Sequence, residues 1–594
     1  MTRRFLSSAC AAIAFVPAMV AACGNGSEPD RPSGASGARG GGAGTGNSSV
    51  GGSSHAGASP TAGSGAASGG SGPSAGGSNG TGGSSNPGGG AGQSATGGGA
   101  PTAGSGVGAG NGGAAGASTA AGGSAGSAVA SGGMGGDFGS GSITLSGLKI
   151  DANPNMTISC FVSWTTTEAA SSEVDFGESD YTFRIRDAAA VTDHQVLVIG
   201  MHASTMYKIK AFSGNATGTG SLEGTFTTGK LPSGLPTPKL NVDDIPADQK
   251  GWLLTNIQGS NSPALAVMYD EKGLPVWYFV HGTQADQRGD VTTELLASNT
   301  VLVGPTNGQP GREVDLSGKV LWEGPANGTT ELMSHYLGKT STGNYLLNYE
   351  LDKAVTNGST KIDDQRLEEV TPKNEVVWSW KLFDHIKPAG NREELCHGNM
   401  LVLDEKNDIL YYNCRFLGLF KIDRKSGDIL WRIGGTYDST SLGPGDFTFS
   451  PTASQYSDTH EPEFHADGTI LFYDNGGYAG LGGGSTTQYH SRIVEYKMDE
   501  TAKTMTRTFE FPGDFSGVDT WYKNTWYSPY WGDADNLPDG NILVTAPVRS
   551  ASASTRFFEV SRDGKIVWEL ELPANNGSFK AQRLLPPPLV EKLQ

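Results

Sequence analysis

Six times beyond residue 236 the chain repeats one short unit, a polar or glycine-bearing turn followed by a strand that carries an aromatic residue. The copies are Lys272-Gly273-Leu274-Pro275-Val276-Trp277, Ser317-Gly318-Lys319-Val320-Leu321-Trp322, Asn374-Glu375-Val376-Val377-Trp378, Ser426-Gly427-Asp428-Ile429-Leu430-Trp431, the looser Met505-Thr506-Arg507-Thr508-Phe509, and Asp563-Gly564-Lys565-Ile566-Val567-Trp568. A unit of this size cannot bury an apolar face alone, so the copies must stack on one another. Strand-rich units at this spacing close into a ring, and the expected fold of 237–594 is an all-β, six-bladed β-propeller with long loops inserted between core strands. The tryptophans are then expected between blades as core, not as a binding box.

The region ahead of the propeller has three parts. Residues 1–22 read as a signal peptide: Arg3 and Arg4 supply positive charge, and Phe5 to Ala22 is an apolar run too short for a comfortable membrane span. The run ends Val20-Ala21-Ala22-Cys23, which resembles a bacterial lipobox and makes Cys23 the expected lipid anchor. Residues 23–140 are almost wholly Gly, Ser, Ala, Thr and Asn, unable to offset the entropy of ordering, and so are expected to be a disordered tether. A Gly-rich coil of this length spans on the order of 60 Å.

Residues 141–232 alternate apolar and polar, as in Thr157-Ile158-Ser159-Cys160-Phe161-Val162-Ser163-Trp164 and Thr205-Met206-Tyr207-Lys208-Ile209. Period two with branched and aromatic residues predicts half-buried strands. Trp164 in an early strand and Tyr207 in a late one suggest a fibronectin-III-like β-sandwich, with Cys160 as a core hydrophobe. Of the five cysteines, Cys160, Cys396 and Cys414 belong to the folded part, and whether the last two bridge depends on a one-residue register. The acidic residues behind the chain's formal charge of -18 lie almost wholly in that part, which argues against a nucleic-acid partner.

Aligning the propeller units on their hairpin turns brings three histidines into register. His335 and His460 each stand eight residues before a turn glycine, Gly343 and Gly468, and His397 stands nine before Lys406. Equivalent positions in a propeller are related by rotation about its axis, so these rings should converge there. Arg415 ends the strand that returns toward His397, adding a planar, permanently charged donor. Imidazoles beside a guanidinium suit an oxyanion. Zinc is the rival use of three histidines, but Arg415 would oppose a dication, and no carboxylate support is evident in these motifs. His465 is expected to be exposed, and His385, His490, His281, His194 and His202 have no comparable placement.

At these residues the chain resembles the bacterial arylsulfate sulfotransferase family. The carriers are Cys396-His397-Gly398-Asn399, the return Tyr412-Asn413-Cys414-Arg415, the stretch Gly427-Asp428-Ile429-Leu430-Trp431-Arg432-Ile433-Gly434-Gly435, and Thr459-His460 with Asp467 to Gly476. The resemblance implies a propeller enzyme that moves a sulfuryl group from an aryl sulfate ester to a phenol, with no cofactor, no metal and no nucleotide sulfate donor. It further implies that His460 is the nucleophile forming a sulfohistidine, that His335, His397 and Arg415 hold the sulfuryl oxygens, and that Asn399 binds substrate or orients His397. The lipobox, the long tether and Glu461-Pro462-Glu463 after His460 depart from the family pattern.

The partners expected are therefore an aryl sulfate, a phenolic acceptor, a membrane reached only through the lipid, and a second copy of the chain in a homodimer. The location expected is the cell envelope, at the outer membrane, with the enzyme in the periplasm or at the surface. A non-catalytic propeller presented on a stalk, binding a ligand or another envelope protein, is the alternative. A quinone-dependent dehydrogenase would want adjacent cysteines and calcium-binding carboxylates at the axis, and Cys396 and Cys414 are not adjacent.

Overall fold

The computed structural model describes residues 138–593 except 260–261, 283–291, 306–308, 327–330, 389–392, 435–444, 453–454, 477–490, 513–526, 529 and 548–553. The signal segment, Cys23, the tether as far as residue 137, Gly435 and His490 lie outside the described residues.

Two long strands organise the first unit. Cys160–Gly177 pairs through its first half with Leu145–Ala152 and through its second half with Met206–Gly214, while Phe183–Val198 runs antiparallel along both halves. The ladder slips between Thr165 and Ala170, which lets one strand serve two layers. Gly218–Thr227 adds to Met206–Gly214 and is itself flanked by the two-residue strand Gly141–Ser142. Inward residues alternate as the sequence pattern requires, with Ile158, Cys160, Val162, Trp164, Val174 and Phe176 all buried. Trp164 donates to Ser213 Oγ at 2.9 Å and stacks on His194 with ring centres 4.8 Å apart. Burial pushes the free Cys160 thiol up to about 12, which keeps it inert.

Six further sheets form the blades of the propeller. Chain order within a blade runs from the inner edge outward, as in Glu331–Lys339, Tyr345–Asn357, Thr360–Val370 and Val376–Lys381, or Gly398–Asp404, Ile409–Cys414, Gly418–Asp423 and Ile429–Ile433. The first blade is built differently. Its inner position beside Trp252–Gly259 is filled by Ala581–Leu584 from the far end of the chain, so the ring is closed by pairing its two ends. Lys239–Asp243 likewise extends the last blade by pairing with Ile566–Glu571.

The repeated tryptophans bind neighbouring blades together through donated hydrogen bonds. Trp277 donates to the Leu316 carbonyl, Trp322 to Asn374 Oδ1, Trp378 to the Arg424 carbonyl and Trp568 to the Glu271 carbonyl, at 2.9, 3.1, 3.0 and 3.4 Å. Each of these acceptors belongs to the outer turn of the next blade, so four of the six units cap their successors.

The first unit is joined to the propeller by polar contacts at several points. Asn153 Nδ2 donates to the Ser317 carbonyl at 2.9 Å, and the Thr157 N–H donates to Tyr278 Oη at 2.9 Å. The last strand, Glu591–Lys592, leaves the propeller altogether and pairs with Phe183 and Arg184. Sequence pattern had placed all of 237–594 in the ring; a two-residue strand carries too little periodicity to reveal its partner.

Trp277 is fully buried, and Trp277→Phe keeps the apolar body while leaving a carbonyl unpaired. The expected loss is about 1 to 3 kcal/mol, read as a lower urea midpoint at unchanged slope.

Candidate active site

The three aligned histidines stand on inner strands of consecutive blades. His335 lies within Glu331–Lys339, His397 immediately precedes Gly398–Asp404, and His460 lies within Thr459–Phe464. Each of these strands carries an irregularity at or beside its histidine, between Met333 and Leu337, Gly398 and Met400, and His460 and Glu463. His335 and His397 themselves adopt φ of 66° and 53°, in the left-handed region that non-glycine residues avoid. Such backbone costs about 1 to 3 kcal/mol per residue and persists where the surroundings over-determine it.

The convergence expected from the alignment is present. His335 Nε2 lies 3.0 Å from His397 Nε2, with the rings edge to face. Arg415 and His397 both act electrostatically on His460, and His397, His460 and Arg415 all act on His335. All four side chains are buried, His335 and His460 at 1% exposure. Burial first, and then the electrostatic cost of placing positive charge beside one another's rings and beside Arg415, hold His335 and His460 well below the usual imidazole value. Both are therefore neutral at pH 7.

Hydrogen bonds fix the tautomer of His460. The Asn475 amide nitrogen donates to the carbonyls of Ser528 and Trp531, at 2.9 and 2.7 Å, so its oxygen faces His460 Nδ1 at 2.5 Å. That oxygen can only accept, which places the ring proton on Nδ1 and leaves Nε2 with a bare lone pair. The Trp531 N–H points at this atom from 3.2 Å. Trp531 has φ of 64° and Gly532 of 115°, and a Cβ on Gly532 would lie 2.4 Å from the Tyr473 ring, so the turn that aims this N–H requires glycine.

The same logic orders the other two rings. Glu394 Oε1 contacts His397 Nδ1, and a carboxylate only accepts, so this nitrogen carries the proton. His397 Nε2 then accepts from His335 Nε2–H, and His335 Nδ1 accepts from the Ser334 hydroxyl. Arg415 is set by its backbone, whose N–H donates to the His397 carbonyl at 3.1 Å, and by Asp458, whose Oδ2 receives Nη2 at 3.4 Å. Cys396 and Cys414 form a disulfide across this hairpin, joining the residues just before His397 and Arg415.

Some expectations change. Carboxylates do support the site: Asp458 pairs with Arg415, Glu394 with His397, and Glu350 lies beside Glu394, so the absence of acidic support is no ground against a metal. These residues lie outside the motifs that carried the histidines, which is why pattern reading passed over them. Asn399 makes no hydrogen bond to His397. Fully buried, it donates to the Thr459 carbonyl at 2.7 Å and accepts from Asn413 Nδ2 at 2.6 Å, tying the blade of His397 to the strand of His460. His465 is half-buried, bound to Glu463 at 2.8 Å, and not exposed. His281, His194, His202 and His385 sit elsewhere, the last stacked on Trp380. Asn475, Trp531, Glu394, Asp458 and Ser334 were not singled out from sequence; for Asn475 the signal lay in its place just beyond the strand that pairs with His460.

A propeller whose inner strands gather buried neutral imidazoles beside one guanidinium defines a class of enzyme that handles a tetrahedral oxyanion ester. Residues 242–578, more than half of the chain, match the family model described as Arylsulfotransferase (ASST), and the chain belongs to that family. An aryl sulfate donor and a phenolic acceptor are the substrates this membership implies. No curated protein matches the sequence. Among solved structures it is similar to a quinonprotein alcohol dehydrogenase-like protein from Bacteroides thetaiotaomicron, at 11% identity and TM-score 0.23, covering 76% of this chain and 98% of that one. It is also similar to the Cps50 (Swd1) β-propeller domain of Myceliophteria thermophila, at 11% identity and TM-score 0.24, covering 64% and 98%.

Neutral buried imidazoles have a consequence for stability. The unfolded chain takes up protons as pH falls below about 6.5 while folded His335, His460 and His281, the last lowered to about 3 by burial, do not. Stability therefore falls with pH below that value, each such histidine adding a slope of about 1.4 kcal/mol per pH unit. Urea midpoints between pH 7 and 5 should show a shallower decline in His460→Asn than in wild type.

Proposed function

We propose that the protein transfers a sulfuryl group from an aryl sulfate to a phenol through a sulfohistidine at His460, without a nucleotide donor. The observation that carries this is the His460 tautomer: Asn475 holds the proton on Nδ1, so Nε2 offers its lone pair among buried donors. Nε2 attacks sulfur, the S–O bond to the aryl group breaks, and the phenolate departs with that electron pair. Phenol ionises near pKa 10, so the departing oxygen gains from a nearby donor, which His335 Nε2–H supplies. As Nε2 becomes sulfated, the ring turns cationic and Asn475 Oδ1 stabilises it through Nδ1–H. Arg415 and the Trp531 N–H, freed from Nε2, face the sulfuryl oxygens as charge spreads over them. A phenol then enters, loses its proton to the same relay and takes the group from His460, which gives ping-pong kinetics.

The experiment is to mix the protein with p-nitrophenyl sulfate and map the modified peptide by mass spectrometry. The label should lie on His460, and His460→Asn should abolish both the label and nitrophenol release. Arg415→Ala should slow turnover about 10²- to 10³-fold while His460 still becomes labelled. A label on another residue, or retained activity in His460→Asn, overturns the assignment; absence of nitrophenol release from wild type would favour a binding propeller.

Attachment to the cell envelope through acylated Cys23 completes the proposal, supported by the lipobox-like Val20-Ala21-Ala22-Cys23 and the tether behind it. Cys23→Ala should leave the protein without lipid, read as loss of partition into the detergent phase; a wild-type chain that carries no lipid refutes it.

A further inference from the structure

On the side of His397 away from His335, two carboxylates meet the ring. One ligand atom each from Glu350, Glu394 and His397 all lie within 4.8 Å of one another, and since Nε2 faces His335, the imidazole atom on this side is Nδ1. Glu350 is 8% exposed, and among the described residues nothing hydrogen-bonds or ion-pairs with its carboxylate. The groups that act on it electrostatically are Glu394, Asp363 and Asp352, all acidic. Asp363, 1% exposed, takes the Lys353 N–H on Oδ1 at 2.7 Å, while its buried Oδ2 meets no partner among the described residues. Burying several carboxylates together is costly unless protons or a cation neutralise them.

We propose that Glu350, Glu394 and His397 Nδ1 hold a divalent cation of the Zn²⁺ or Mn²⁺ kind, with Asp363 as the outer carboxylate that completes its charge. Two carboxylate oxygens and an imidazole nitrogen form the mixed hard and borderline set these ions take. Ligands about 2.0 to 2.2 Å from one ion sit roughly 3 to 4 Å apart, so small side-chain rotations gather the present atoms. The ion takes the Nδ1 lone pair of a neutral ring, so the single ring proton moves from Nδ1 to Nε2; His335 Nε2 then accepts that bond and carries its own proton on Nδ1 toward Ser334. In the loaded protein His397 Nε2–H thus replaces His335 Nε2–H as the donor beside the transfer site. This last consequence rests on the function proposed above; the binding site itself does not.

Full-length protein stripped with chelator should bind a single Zn²⁺ or Mn²⁺ per chain, by calorimetry and by metal analysis after desalting. Glu350→Gln, which removes one charge at constant shape, should weaken binding at least about 10-fold while its thermal transition stays cooperative. Wild-type protein that binds neither ion at millimolar concentration overturns the proposal, whatever the variant does. Equal affinity in a folded Glu350→Gln overturns it too. Labelling His460 with aryl sulfate in the stripped protein tests the sulfohistidine separately, so either idea can fail alone.

Discussion

Everything at the axis depends on a ring closed by two segments some three hundred residues apart in sequence. Ala581–Leu584 pairs with Trp252–Gly259, and no local contact could bring them together. Closing so long a loop is entropically costly, although the cost grows only logarithmically with length. What offsets it is distributed around the ring, in the buried cores and in the tryptophan hydrogen bonds that tie four of the blades to the outer turn of the next. Closure also decides chemistry, because only a closed ring gives inner strands a common axis at which side chains from separate blades can meet.

At that axis the protein accepts local strain and buried polarity together. His335 and His397 stand in left-handed backbone, and Trp531 and Gly532 use positive φ to aim a single N–H at His460. The rings are neutral because burial and a nearby guanidinium disfavour further positive charge, and neutral imidazole is the nucleophilic form. Arg415 stays charged against Asp458, which is itself wholly buried. Around these groups the disulfide of Cys396 and Cys414, together with the Asn399–Asn413–Thr459 network, locks the hairpin that carries two of them.

The blade repeat, the inter-blade role of the tryptophans and the axial meeting of His335, His397, His460 and Arg415 were legible as spacing, because rotational symmetry turns equal sequence offsets into equal spatial positions. The residues that complete the site were not. Glu394 precedes its blade's inner strand, Asp458 precedes His460 by two, and Trp531 belongs to the following blade, so none shares the offset that marked the histidines. Asn399 had the right spacing and a different neighbour: its amide turns to Thr459 of the next blade, a contact that depends on how two sheets abut.

Sequence by itself determined the all-β class, the family and the histidines that face inward, since these follow from periodicity and motif order carried along one chain. Tertiary structure alone decided which nitrogen of each ring holds a proton, whether Cys396 meets Cys414, and that Glu350, Glu394 and His397 bring a ligand atom each within 4.8 Å of one another. The physical reason is range. Alternation and repeat spacing are set by backbone geometry within a few residues, whereas a tautomer, a bridge or a ligand set depends on atoms placed to within tenths of an ångström by strands distant in sequence.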